Sequence, residues 1–204
     1  MTILFGEITT EKYFANRKKN AESAAKAIPS HEVKKDNIDE LCKKIVKEHT
    51  VASIGVDFES RKGSIVNENL KGSIFPQGFD VRPEEYYVRA KAVYTFNASG
   101  DSTLFRLRPK KASFDKKFRG EKEYNKLSIE YRTFEEKPLS DKKIEESKEY
   151  IKEAIIIMEQ TIPLINEEID EFNPTLEPAV RAILEEKISE VETEKKQNFD
   201  INDF

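Results

Sequence analysis

Large apolar residues recur at heptad spacing in the last third of the chain. They follow one another at intervals of seven, four, three, four, three, four and three residues: Ile144, Ile151, Ile155, Met158, Ile162, Ile165, Ile169 and Phe172. We call these residues the heptad seam. A helix with this repeat presents one continuous apolar stripe, which must be buried against another surface. The seam constrains the fold more than any other feature of the sequence.

A second helix is predicted to follow the seam. Asn173-Pro174 favours a break there, because proline suits the first position of a new helix. Further apolar residues recur at helical spacing: Leu176, Val180, Ile183, Leu184, Ile188 and Val191. The pattern predicts a long helical hairpin over residues 135–204, with a short disordered tail from Gln197. Pro163 is expected to kink the first helix or divide it in two.

The heptad seam can be buried in two ways. The second helix and a sheet can cover it within one chain, or it can pair with another chain. Ile156 and Ile157 lie beside the seam, so the first helix offers more apolar surface than the second can cover. A homodimer through the hairpin is therefore an alternative to burial within one chain.

The hydrophobic period changes to two in the middle of the chain, which is typical of strands. Apolar and polar residues alternate over residues 52–58, 88–96 and 127–131, and residues 63–70 and 104–108 are further strand candidates. Glycine- and proline-bearing turns separate these stretches, which favours an antiparallel sheet with one wet face.

Two helices are predicted before the sheet, over residues 9–27 and 37–49, and we expect both to pack on it. The fold class is therefore α+β: two N-terminal helices on an antiparallel sheet, followed by a long C-terminal helical hairpin. The predicted division is an α+β sheet domain over residues 1–134 and the hairpin with its tail over residues 135–204.

Composition excludes several classes of function. Cys42 is the only cysteine and only two histidines occur, so no intramolecular disulfide, zinc site or thiol–histidine pair is expected. Spacing beside Ile38 and Ile45 predicts that Cys42 faces the core. Glycine-rich phosphate loops are missing from the sequence, and we predict no enzyme activity, catalytic residue, metal or cofactor. Without a long apolar run or a secretion signal, the chain is expected to be cytoplasmic and not membrane-bound.

Charge is distributed unevenly along the chain. Residues 135–204 hold twenty acidic and nine basic residues, although the whole chain has a net charge of only -4. The densest basic segment, residues 105–122, also contains Phe105, Phe114 and Phe118. Its candidate phosphate- or nucleic-acid-binding residues are Arg106, Arg108, Lys110, Lys111, Lys116, Lys117 and Arg119. Such a segment can bind phosphates and stack on bases. The alternative is a solvated loop that its phenylalanines anchor to the sheet.

A metal-dependent nuclease is a further alternative. Asp57 and Glu59 could supply hard oxygen ligands near the cation of Lys62. This spacing is common by chance in a chain so rich in charge.

One stretch resembles a known family. Residues 96–109 read Phe-Asn-Ala-Ser-Gly-Asp-Ser-Thr-Leu-Phe-Arg-Leu-Arg-Pro. They resemble the Gly-Asp-x-x-Leu-Phe-x-x-x-Pro signature of a poorly characterised family of bacterial domains that form the N-terminal parts of larger proteins. Residues 36–41 and the joint at residues 171–176 look similar to that family as well, so the resemblance spans roughly residues 36–195.

The resemblance implies a role in recognition. Longer members of the family carry a restriction-endonuclease-like or Toll/interleukin-receptor-like effector in prophage-defence settings. It implies that this chain is a non-enzymatic recognition or regulatory module of a defence-type protein, acting through the basic loop and the hairpin. The implied partner is another protein or an effector domain beyond Phe204, where the chemistry of the family would lie. A nucleic-acid-binding protein that uses residues 105–122 is the alternative.

Overall fold

The computed structural model describes residues 2–114 and 116–202. The chain divides into two compact units. The first contains Ser53–Ile165 with the N-terminal residues through Ile8, and the second contains Thr9–Ala52 with the residues from Asn166 onward. The boundary predicted between residues 134 and 135 lies inside the first unit, between the last strand and the long helix.

The first unit contains a five-stranded sheet in which all neighbouring strands are antiparallel. From edge to edge its order is β1 (Thr2–Leu4), β6 (Phe118–Glu123), β7 (Lys126–Arg132), β4 (Tyr86–Ser99) and β3 (Gly55–Lys71). Two short strands, β2 (Ile8–Thr9) and β5 (Leu107–Arg108), lie outside this sheet. The predicted α+β class and antiparallel sheet are confirmed.

One face of the sheet is apolar because alternate residues of each strand point to it. Phe96 lies opposite Leu127, and Tyr94 lies opposite Ile129. Helix α3 (Asp141–Phe172) packs on this face, where the hydroxyls of Tyr94 and Ser147 are 2.8 Å apart. Phe96, Leu127 and Ile129 are at most 1% exposed, so the core of the first unit lies between the sheet and α3.

Strand β3 is longer than predicted because a bulge, not a turn, joins its two halves. The register with β4 shifts between the pair Asp57–Asn97 and the pair Lys62–Thr95. Ser60 closes the bulge: its hydroxyl donates to the Asp57 carbonyl at 2.6 Å and accepts from the Asn97 N–H at 2.7 Å. A bulge accommodates extra residues in one strand without ending the pairing.

The second unit is helical. Its helices are α1 (Thr10–Ala27), α2 (Ile38–His49) and α4 (Leu176–Asn202). The two N-terminal helices are confirmed, but within this unit they pack on each other and on α4, a partner that the sequence did not predict. Small and branched side chains allow this close packing, because Ala21, Ala25 and Val180 are fully buried.

The structure differs from the predicted hairpin in the surface that buries its second helix. A 3₁₀ turn, Asn173–Thr175, joins α3 to α4, and Phe172 and Leu176 on either side both have right-handed helical backbone torsions. Leu176 and Leu184 are fully buried in a helix that packs on α1 and α2. An apolar stripe indicates that a helix needs a partner, but does not indicate which one.

Two smaller expectations about these helices need correction. Helix α3 continues through Pro163, which is exposed. Water can therefore solvate the carbonyl that proline leaves without an N–H partner, so the helix is not divided. The predicted disordered tail is helical as far as Asn202, because no glycine or proline after Pro178 stops α4. Residues 203–204 lie outside the described residues.

Candidate functional site

The predicted basic loop is in fact three different elements. It runs from a 3₁₀ turn, Ser102–Arg106, through β5 and an irregular stretch into β6. Arg106 donates from Nε to Oε2 of Glu7 at 2.7 Å. A hydrogen bond from the Ile3 N–H lowers the pKa of Glu7; burial opposes this effect, and Arg106 lowers the pKa further. Arg106 therefore holds the N-terminal segment of the first unit.

Lys116 and two of the three phenylalanines of the segment are also engaged within the first unit, whereas Phe114 is half-buried. The Lys116 ammonium forms an ion pair with Glu153 and lies 5.9 Å from the centre of the Tyr150 ring. Phe105 and Phe118 are 1% and 2% exposed, so neither can stack on a nucleic-acid base. Their burial agrees with the alternative interpretation, in which phenylalanines anchor the segment.

The other candidate phosphate-binding residues remain exposed: Arg108, Lys110, Lys111, Lys117 and Arg119. They do not converge on one element. Arg119 lies on β6, opposite Glu130 of β7, whereas Lys110 and Lys111 lie between β5 and β6. The structure thus leaves a dispersed basic surface in place of the predicted basic-aromatic site.

The residues that carry the family resemblance build a turn and a piece of core. Gly100 has a positive φ of 90°, and a Cβ there would lie 2.5 Å from Ile54 Cγ2. Asp101 begins the 3₁₀ turn by accepting the Thr103 N–H at 2.7 Å. Leu104 and Phe105 follow and are buried. The geometry of the turn and the packing of Leu104 and Phe105 account for these residues, so no catalytic or binding role is needed to explain the signature.

Most of the heptad seam is buried within the chain. Ile151, Met158, Ile162, Ile165 and Ile169 are at most 8% exposed, whereas Ile144 and Ile155 are half-buried. On the same helix the Tyr150 ring packs on Phe118 and Tyr131, at 5.1 and 5.3 Å between ring centres. The sheet therefore covers part of the α3 surface that the homodimer hypothesis assigned to a second chain. The homodimer through the hairpin stays a prediction.

The nuclease candidate and the cysteine show no assembled catalytic group. Asp57 accepts a hydrogen bond from the Glu59 N–H at 3.2 Å, which stabilises the bulge. Among residues 2–114 and 116–202, no three His, Cys, Asp or Glu side chains lie where they could hold a metal ion. Cys42 is 1% exposed, and burial raises the pKa of its thiol, which keeps it protonated.

An ionic cluster of four side chains lies on the face of the sheet opposite α3: Glu68, Lys91, Glu130 and Arg132. Arg132 binds both oxygens of Glu68, at 2.7 and 2.9 Å. Lys91 lies 2.8 Å from Glu130 and 3.4 Å from Glu68. These side chains are only 14–26% exposed, so the cluster is part of the fold. Sequence reasoning missed it because the four residues come from three strands whose register was unknown.

The first unit leaves one corner of its apolar face uncovered. Tyr86 and Val88 begin β4 on the face that α3 covers further along, yet they are 69% and 52% exposed. They line a depression of about 410 Å³ together with Asn67, Glu136 and Lys137. We call this depression the corner cleft. A depression lined by both apolar and polar side chains is typical of a binding surface. We call Asn67, Glu136 and Lys137 its polar rim.

Arg89 and Tyr87 also line the cleft, and they connect it to a group of aromatic rings. The Arg89 Nη1 donates to the Val88 carbonyl at 2.7 Å and to Glu136 at 2.9 Å. Its guanidinium lies 5.3 Å from the ring of Phe75 and 5.6 Å from that of Tyr87. Phe75 also packs on Phe134 at 5.1 Å. These contacts hold the start of β4 in place before any ligand arrives.

No helix within the described part of the chain has the length and apolarity that a membrane span requires. The resemblance of residues 96–109 stays an expectation. The chain matches no protein-family model, no curated protein and no solved structure.

Proposed function

We propose that this chain is a non-enzymatic recognition or regulatory module that binds a protein partner at the corner cleft. The observation that carries the proposal is the exposure of Tyr86 and Val88 at the start of β4, whose later residues on the same face, such as Ala90 and Phe96, are buried. Exposed apolar side chains rimmed by polar ones favour a protein partner over a small polar ligand. Tyrosine is also enriched among the residues that dominate binding energy at interfaces.

The geometry of the cleft supports recognition without rearrangement. Tyr86 and Val88 lie opposite Lys71 and Asn69 of β3, so the ladder fixes their backbone. On the other side of β4, the Ala90 N–H donates to the Glu135 carbonyl at 2.8 Å. A binding surface that is already ordered loses less conformational entropy on association.

The rim of the cleft indicates the kind of segment it would take. Glu136 and Lys137 bring one charge of each sign, and Asn67 brings an amide. We propose that the partner inserts one large apolar side chain between Tyr86 and Val88 and that polar neighbours of that anchor meet the rim. The defence-type setting rests on the resemblance of residues 96–109 alone, and the proposed site does not depend on it.

Selection of peptides from a displayed random library tests the corner cleft. Peptides selected on the wild-type chain are expected to share an apolar anchor and to bind Val88→Lys at least about tenfold more weakly, because the lysine puts a charge among apolar contacts. Binding is measured by fluorescence polarisation with the purified peptides.

The matched control is Tyr124→Lys, which changes an aromatic residue that is 96% exposed in the β6–β7 turn. It should leave the affinity unchanged. Peptides that bind Val88→Lys and the wild type equally would place recognition elsewhere and remove the support for the cleft.

Nucleic-acid binding remains the second candidate because Lys110, Lys111, Lys117 and Arg119 stay exposed. We expect only weak binding to a single-stranded oligonucleotide at low salt, with a dissociation constant no tighter than about 10⁻⁴ M, since two of the three phenylalanine rings are buried and the cations are dispersed. Titration at several salt concentrations measures it.

Replacing these four residues with glutamate provides the decisive comparison. A control with the same change in charge replaces four exposed lysines of the second unit: Lys12, Lys43, Lys44 and Lys47. Tight binding that falls steeply with salt and disappears only in the first variant would favour a nucleic-acid function over protein recognition.

A further inference from the structure

We infer that β3 pairs with β3 of a second copy of this chain, antiparallel and centred on Ile65. The inference goes beyond the proposed function, since it concerns a different surface and a different partner. β3 is at one edge of the sheet and pairs with β4 along one side. Its other side carries backbone groups that no strand of the described residues pairs with.

The second half of this edge is regular enough to add a strand. From Lys62 to Lys71 the strand pairs residue by residue with β4, and it contains no proline. Ile65 in this stretch is 40% exposed. Proteins usually protect a long edge with prolines, bulges or covering segments. Here the bulge before Lys62 limits added pairing to the residues that follow it.

Self-pairing centred on Ile65 is complementary in charge. It places Lys62 opposite Glu68 of the second copy, and by symmetry Glu68 opposite Lys62 of the second copy. Ser64 then lies opposite Val66, and Ile65 opposite Ile65 of the second copy. Opposite charges and apolar residues that face each other across two strands both stabilise the pairing. Because the two exposed Ile65 side chains lie on the same face, each would bury the other.

Neighbouring registers lack this complementarity. Centring the pair on Val66 places Lys62 opposite Leu70 and Ser64 opposite Glu68. Centring it on Ser64 places Lys62 opposite Val66. Moving the centre by one residue keeps every side chain on its own face, so these registers differ from the Ile65-centred one only in which side chains meet. Among these registers, only the Ile65-centred one pairs a lysine with a glutamate.

Glu68 is available for this contact while it remains in the ionic cluster. Its side chain is 17% exposed and already binds Arg132 and Lys91. Lys62 is exposed on the same strand. The added lysine would meet the solvent side of the carboxylate, so it adds to the existing bonds without replacing them. Such a small interface predicts a weak dimer, in the micromolar range.

Sedimentation equilibrium of the whole chain tests the inference. The wild type is expected to shift from 23.6 kDa towards twice that mass as its concentration rises. Ile65→Lys should weaken dimerisation at least about tenfold, because two lysines would meet at the symmetry axis, and Lys62→Glu should weaken it by about tenfold through two like-charge contacts. Amide hydrogen exchange should show protection of residues 62–68 in the dimer only.

Lys71→Glu is the matched control, since it makes the same change of charge on the same strand outside the paired residues. It should leave the dimer unchanged. Lys62→Glu keeps the test valid if Ile65→Lys fails to fold, which circular dichroism would reveal. A chain that stays monomeric at all concentrations overturns the inference. So does a dimer that resists both substitutions in β3, including one that only Ile155→Lys on α3 dissociates.

Discussion

Replacing Glu68 with alanine is expected to lower the free energy of unfolding by about 2–4 kcal/mol. The substitution removes the carboxylate that binds both Nε and Nη2 of Arg132 and leaves that guanidinium poorly solvated, only 26% exposed. Removing one partner of such a pair costs more than the pair itself contributes, since the remaining charge keeps its desolvation penalty. Urea denaturation followed by circular dichroism measures the change.

Two further variants separate the role of charge from that of position. Glu59→Ala removes an exposed carboxylate from the same strand and should change the stability by less than about 0.5 kcal/mol. Glu68→Gln retains the shape of the side chain and one acceptor oxygen. Its decrease in the free energy of unfolding should therefore lie between those of the two alanine variants. Equal effects of Glu59→Ala and Glu68→Ala would show that the ionic cluster contributes nothing to stability.

The same cluster predicts how stability depends on pH. Burial works to raise the pKa of Glu68, but hydrogen bonds and charges from Arg132 and Lys91 outweigh it, so the pKa lies below its ordinary value of 4.5. Between the two values the unfolded state binds a proton that the folded state does not. The stabilisation is therefore present above about pH 4.5 and is lost as pH falls through the folded-state pKa. The stability difference between the wild type and Glu68→Gln should shrink on acidification.

A strand is predicted well from the sequence where apolar and polar residues alternate. It is predicted poorly where an inward position holds a small or polar residue. β4 and β7 were recognised from alternation, whereas β6 was assigned to a basic loop. Its inward positions are Phe118, Gly120 and Lys122, so only one is large and apolar. Gly120 is required because a Cβ there would lie 2.6 Å from the Ser128 carbonyl oxygen. Close packing thus removed the periodic signal that would have revealed the strand.

Partners across long sequence distances were beyond what periodicity can predict. The apolar stripe of α4 correctly indicated a buried helix, but its partners α1 and α2 lie more than a hundred residues earlier in the chain. The ionic cluster and the corner cleft likewise depend on strand register, which alternation leaves open by any even number of residues. The basic segment was found, but its ion pairs with Glu7 and Glu153 could not be.

Asn173 was identified from the sequence as a helix boundary, but its hydrogen bonds to Val51 were not predicted. The sequence predicted a break between two helices at this point, next to Pro174. In the second unit its side-chain amide binds both backbone groups of Val51: Oδ1 accepts the N–H at 3.0 Å, and Nδ2 donates to the carbonyl at 2.9 Å. One side chain thus pairs with Val51 as a neighbouring strand would. Val51 is 5% exposed, so water cannot easily replace either bond.

Asn173→Ala is therefore expected to lower the free energy of unfolding by about 2–4 kcal/mol, because it leaves a buried donor and a buried acceptor without partners. Asn173→Asp keeps the acceptor but places a second oxygen against the Val51 carbonyl, so it should be comparably destabilising at neutral pH. Glu171→Ala, an exposed change two residues away, is the control and should cost less than about 0.5 kcal/mol. Amide hydrogen exchange adds a local measurement: the Val51 N–H should exchange faster in Asn173→Ala than in Glu171→Ala. If Val51 exchanges at the same rate in both variants, the amide of Asn173 does not hold this segment.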